Sequence, residues 1–87
     1  MINAVIMNEN DTVVTVTKNV SAGENVTYIL NDDIISVKAT SDIPINHKIA
    51  VKDVRVGNEV YKYGEKIGHA TSDIKTGDHV HTNNLEN

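Results

Sequence analysis

Apolar and polar residues alternate in short bursts along this chain. In "TVVTVTK" Val14 and Val16 alternate with Thr15 and Thr17, and in "IISVKA" Ile35 and Val37 alternate with Ser36 and Lys38. In "EVYKYG" Val60 stands among polar or amphipathic neighbours. A period of two puts every second side chain on one face of a pleated strand, so each burst predicts a half-buried β-strand. The residue types agree, because Val, Ile and Thr lose rotamer freedom in a helix and pack well on a sheet. No window keeps a helical stripe beyond about two turns. At most one or two helical turns remain open, around Ile45 to Ile49 or in "VKDV" at 51–54. The pattern therefore predicts an all-β fold of about six to eight short strands with long loops.

Turn signals punctuate the strands at a repeated spacing. "VSAGENV" from Val20, "VRVGNEV" from Val54 and "IKTGDHV" from Ile74 each place glycine three residues after a branched apolar residue. "IPINHKI" from Ile43 fits if Asn46 takes the glycine position, and asparagine is the residue that best tolerates a left-handed backbone after glycine. Pro44 fixes φ at the start of that turn. The tetrapeptide "TSDI" occurs twice, so Asp42–Ile43 and Asp73–Ile74 enter equivalent turns. One such unit cannot cover its own apolar face, which predicts two pseudo-symmetric hairpins clasped around a shared core.

Length and composition narrow the function. A chain of 87 residues is one small domain, 1–87, with room for a single core. Without cysteine there is no disulfide, thiolate metal site or cysteine nucleophile, so any metal must be held by His or carboxylates. Twelve acidic residues against eight basic ones, with Arg55 the single arginine, exclude the basic stripe that a nucleic-acid partner needs. No segment reaches the length of a membrane span. The N-terminal apolar stretch from Ile2 to Met7 lacks the basic start of a secretory signal, so a cytoplasmic location is expected.

Chemistry is concentrated in four histidines, His47, His69, His79 and His81. On a strand, His79 and His81 project from one face with Cβ atoms about 6.5 to 7 Å apart. That spacing allows two imidazoles to converge on a metal or an anion, although a polar surface strand carries such a pair as well. In the repeat His47 aligns one position before His79 and is the candidate third ligand. Lys48 follows His47, and "YKYGEKIG" offers Lys62 and Tyr63 as donors to a carboxylate; a solvated turn is the other reading. No serine lies in a nucleophile-elbow motif, and the glycine spacing is not that of a phosphate loop.

Three ordered motifs carry a resemblance. "DIPINHKIA", "KYGEKIGHA" and "DIKTGDHVHTNN" resemble the patterns D-I-P-x-G-H-K-x-A, K-Y-G-x-x-I-G-x-A and D-I-x-x-G-x-H-V-H-x-x-N of the SAF domain of the altronate and galactarate dehydratase family. The earlier "ENDTVVTVTKNVSAGENV" is similar to the family's opening strand and first glycine turn. Asn46 replaces the usual glycine, and Met7 and Asn8 stand where altronate-type members often carry a histidine. The resemblance implies a β-clip fold and a role beside a large catalytic domain that eliminates water from sugar acids. The free-standing form, as in sulfolactate sulfo-lyase, implies a small subunit of a hydro-lyase or sulfo-lyase that is inactive alone. It further implies a divalent metal such as iron held mainly by the large partner, an anionic sugar-acid or sulfo-acid substrate, and room for homo-oligomers. Carried over by motif, His47, His79 and His81 are the expected catalytic residues, with His79 and His81 as metal ligands. Lys48, Lys62, Tyr63, Gly64 and Asn83 are expected at the substrate. SAF domains also serve as non-catalytic modules that recognise a carbohydrate or a protein, which is the rival reading.

Overall fold

The computed structural model describes all 87 residues. Its regular elements are strands only: β1 (Ala4–Val5), β2 (Val13–Val16), β3 (Asn25–Leu30), β4 (Asp33–Lys38), β5 (Lys48–Ala50), β6 (Glu59–Lys62), β7 (Glu65–Ala70), β8 (His79–Val80) and β9 (Leu85–Glu86). β1, β2, β5 and β8 form one antiparallel sheet in that order. β3 and β4 make a two-stranded arm, and β6, β7 and β9 a three-stranded one. Two hairpins folded over and closed at their bases constitute the β-clip. The helical turns left open by the sequence do not form. Lys48–Ala50 is β5, paired on both sides, and 51–54 runs straight into a turn.

The repeated turns explain how the bases close. Gly23, Asn46, Gly57 and Gly77 all take positive φ, at 89°, 71°, 87° and 98°. Val20 and Ile43 exchange backbone hydrogen bonds of 2.9 and 2.8 Å, and Val54 and Ile74 exchange bonds of 2.8 and 2.7 Å. The residue before each of these reaches across its pair. Asp42 Oδ1 accepts from the Ala22 N–H (2.8 Å) and Asn19 Oδ1 from the Ile45 N–H (2.9 Å). In the second clasp Asp73 Oδ1 accepts from Val56 N–H (2.9 Å) and Asp53 Oδ1 from Thr76 N–H (2.7 Å). The Thr76 backbone and then its hydroxyl hold the Asp53 carboxyl below the usual carboxylate range, so this contribution is lost as pH falls through that lowered value. Each "TSDI" thus completes a different clasp, and the two copies do not close on one another.

Nor do they share one core. Val14, Val16 and Ile49 pack with Val20, Val26, Tyr28 and Ile43, whereas Val13 and Ala50 pack with Val54, Val60, Ala70, Ile74 and Val80. β2 and β5 run between the two clusters with an apolar residue on each face, so the alternation of Val14 and Val16 describes only one side. Gly77 adds a close approach, since a Cβ there would run into the Lys38 carbonyl oxygen. With the left-handed backbone added, Gly77→Ala is expected to lower stability by about 2 to 4 kcal/mol, read from the urea midpoint.

Candidate active site

β5 and β8 build the site between them. Their register sets Ile49 opposite His79 and Lys48 opposite Val80. The Asn46 turn presents His47 just before β5, where its N–H donates to the Pro44 carbonyl (3.0 Å) and its own carbonyl accepts from Val16 (3.0 Å). Past β8 the chain turns at once around Asn84. The Asn84 Oδ1 accepts from the His81 N–H (2.9 Å), and its Nδ2 donates to the His79 carbonyl (2.8 Å). One buried amide therefore fixes the backbone under both histidines.

The three rings converge. Centroids of His47 and His79 lie 5.1 Å apart, of His47 and His81 4.9 Å, and of His79 and His81 5.4 Å, the last pair only 8° from parallel. His47 Nδ1 and His79 Nε2 are 2.9 Å apart, a hydrogen bond that requires one of the two rings to be a neutral acceptor. One nitrogen from each ring lies within 4.8 Å of the others. His81 is exposed and its two companions are half-buried. His69 stands apart on β7, opposite Glu59 and Glu86.

The surroundings of His79 disfavour its protonated form. Burial lowers the His79 pKa first, followed by the fields of His47, His81 and Lys48. Burial also lowers that of Lys48, with the Lys62 ammonium adding to it. Between the lowered value for His79 and the ordinary value near 6.5, the unfolded chain binds more protons than the folded one. Stability should accordingly rise with pH through that interval and fall again on acidification. Urea unfolding from pH 5 to about pH 7.5 measures this, and His79→Gln should flatten the slope.

Lys62 closes β6 at the β6–β7 turn. Tyr63 and Gly64, with φ of 59° and 74°, form the two-residue loop of a type I′ hairpin between Lys62 and Glu65. The Lys62 Nζ sits 5.0 Å from the Tyr63 ring centroid, a cation–π contact. Beside Lys48 and His81 a concavity of about 460 Å³ opens, lined also by Thr82, Leu85, Glu86 and Asn87. Of the expected residues, His47, His79 and His81 are brought together with Lys48 beside His81, whereas Lys62, Tyr63 and Gly64 sit on the β6–β7 turn. Asn83 is exposed on the turn, and its buried neighbour Asn84 makes the bonds. The motif spacing itself, with asparagine three residues after the second histidine, points to Asn84 rather than Asn83.

A clip whose two arms meet at a central sheet, with imidazoles gathered at one end of that sheet, defines an SAF-type β-clip domain. The chain belongs to the altronate/galactarate dehydratase SAF domain family, whose pattern matches residues 2–87. It is similar to the (2R)-sulfolactate sulfo-lyase subunit alpha of Paracoccus pantotrophus, 50% identical over 48 residues that span 55% of this chain and 72% of that relative. The subunit alpha of Chromohalobacter salexigens is 33% identical over 88 residues, covering 98% of this chain and 94% of the relative. The altronate dehydratase of Bacillus subtilis is 38% identical over 52 residues, which are 60% of this chain but 10% of that enzyme.

Proposed function

We propose that this chain is the small subunit of a sugar-acid hydro-lyase or sulfo-lyase that works with a large catalytic subunit. The observation that carries the reading is the convergence of three imidazoles, one of which, His81, lines an open concavity together with Lys48. Its relatives are subunits of a sulfo-lyase and a segment of a dehydratase, which supports the reaction class. Elimination beside a carboxylate needs cations for the acid group and a carrier for the α-proton. Lys48 and Lys62 would bind the carboxylate or sulfonate, and their flexible ammonium groups suit an anion held at the rim of a site. His79, kept neutral by its surroundings near pH 7, would accept the proton and pass it along the hydrogen bond to His47.

The donor set also fits a divalent cation. Three imidazole nitrogens within 4.8 Å of one another suit first-row metals such as iron or zinc. In place of the proton relay, His47, His79 and His81 would hold it, with the partner subunit completing the coordination and supplying the base. When bound, such an ion polarises a substrate carboxylate and stabilises the negative charge that develops on it.

Reconstitution tests the proposal. This chain is mixed with its large partner, and release of water or sulfite is measured over a panel of hydroxy and sulfo acids. Activity should require both chains, and His81→Ala should lower kcat by about a hundredfold. Full activity of the large chain alone would leave a binding or scaffold role for this one.

A further inference from the structure

A buried carboxylate outside the imidazole cluster stands out. Asp11, just before β2, is fully buried. Its Oδ2 accepts from the Tyr63 N–H (3.0 Å) and its Oδ1 from the Gly64 N–H (2.8 Å), more than fifty residues along the chain. Asn8 closes the same contact from the side, because a Cβ on Gly64 would lie 2.8 Å from its Nδ2. Thr12 continues the attachment, its Oγ1 accepting from the Tyr61 N–H (3.0 Å) and its own N–H donating to the Tyr61 carbonyl (3.1 Å).

The other arm supplies a control within the same molecule. The β3–β4 hairpin also turns through two residues of positive φ, Asn31 and Asp32, and its ladder runs unbroken from Asn25 to Lys38. Its tip makes one exposed side-chain bond, from Asn31 Nδ2 to Glu9 (3.0 Å). The fold therefore builds such a turn without a buried acid. What distinguishes the gripped tip is its cargo, Lys62, together with a bulge between Val60 and Tyr61 that bends the arm.

We propose that Asp11 is a positioning residue: by gripping the β6–β7 tip it holds the Lys62 ammonium, over the Tyr63 ring, as the anion contact that the reading above assigns to it alongside Lys48. The proposal deepens the function given above and rests on its reading of these lysines as the contacts for an anionic substrate. The two carboxylate oxygens meet two adjacent N–H groups, which sets both the position and the orientation of the turn. A single surface lysine on an untethered hairpin would sample many placements and lose affinity to ordering entropy.

The test uses Asp11→Asn, which keeps the shape of the side chain but turns an NH₂ group toward one of the two donors. Lys62→Gln and the double variant complete a cycle. Two readings are taken by NMR on the whole chain. The first is the ring-current shift of the Lys62 terminal methylene under Tyr63, which needs no ligand and should collapse toward the random-coil value in Asp11→Asn. The second is titration with inorganic sulfate. Each single variant should weaken sulfate binding by about fivefold to tenfold, and the double variant should lose no more than either single one. An unchanged Lys62 shift, or additive losses in the cycle, would reduce Asp11 to a fold staple and overturn the proposal. Absence of a sulfate response in the wild type would instead sink the anion reading of the lysines, while the ring-current shift still decides whether Asp11 positions Lys62.

Discussion

Asp11→Ala is expected to lower the unfolding free energy by about 3 to 5 kcal/mol, a larger loss than that of Gly77→Ala. The change removes both acceptors of the β6–β7 turn at once. It leaves the Tyr63 and Gly64 N–H groups without a partner in a place from which Asp11 itself is wholly shielded from solvent. Each stranded donor costs about 1 to 3 kcal/mol, and the small cavity adds to that. A domain of this length holds roughly 5 to 13 kcal/mol in total, so the variant sits near its unfolding threshold at growth temperature. Chemical denaturation should show a lower midpoint with an unchanged slope. Asp11→Asn should fall between the variant and the wild type, because one acceptor survives.

His79→Ala carries the largest expected effect on function. His79 is the ring whose nitrogen meets His47 at 2.9 Å and whose backbone carbonyl is held by Asn84, so it is the most firmly placed of the three. Removing it leaves His47 and His81 as a two-ligand remnant. In the isolated chain, affinity for Zn²⁺ as the probe metal should drop by roughly a hundredfold or more, measured by competition with a chelating dye. In the reconstituted lyase, kcat should fall by about 10² to 10⁴-fold, the range for losing a proton carrier. Thermal unfolding of the apo chain should change little, because the ring is half-buried and packs against imidazoles rather than the apolar cores.

The parts of this structure that were legible in the sequence are those whose signal is local. A left-handed turn demands glycine or asparagine at one position, so Gly23, Asn46, Gly57 and Gly77 announce themselves by residue type. His79 and His81 share a face through strand geometry alone, and the turn repeat brought His47 into line with them. The pairing of the clasps was not legible, because Asp42 and Asp73 have the same local sequence yet close on Asn19–Val20 and Asp53–Val54 respectively. The division into two cores was hidden in β2, where Val13 faces one cluster and Val14 the other. Asp11 gives no local signal at all, since an acid before a strand reads as a solvated loop residue and its partners lie far along the chain. Asn84 was within reach and missed by one position, for in a tight turn neighbouring side chains take opposite environments.

The freely standing tip at Asn31–Asp32 offers a practical handle. It is an exposed reverse turn tied to the rest of the molecule by one exposed side-chain bond, at the end of an arm whose inner residues pack into the core that excludes Ile74 and Val80. A fluorophore, a short epitope or a surface tether inserted there should leave the histidines undisturbed. The clip could then be immobilised by one arm while the other, which carries Lys62, remains open for binding measurements.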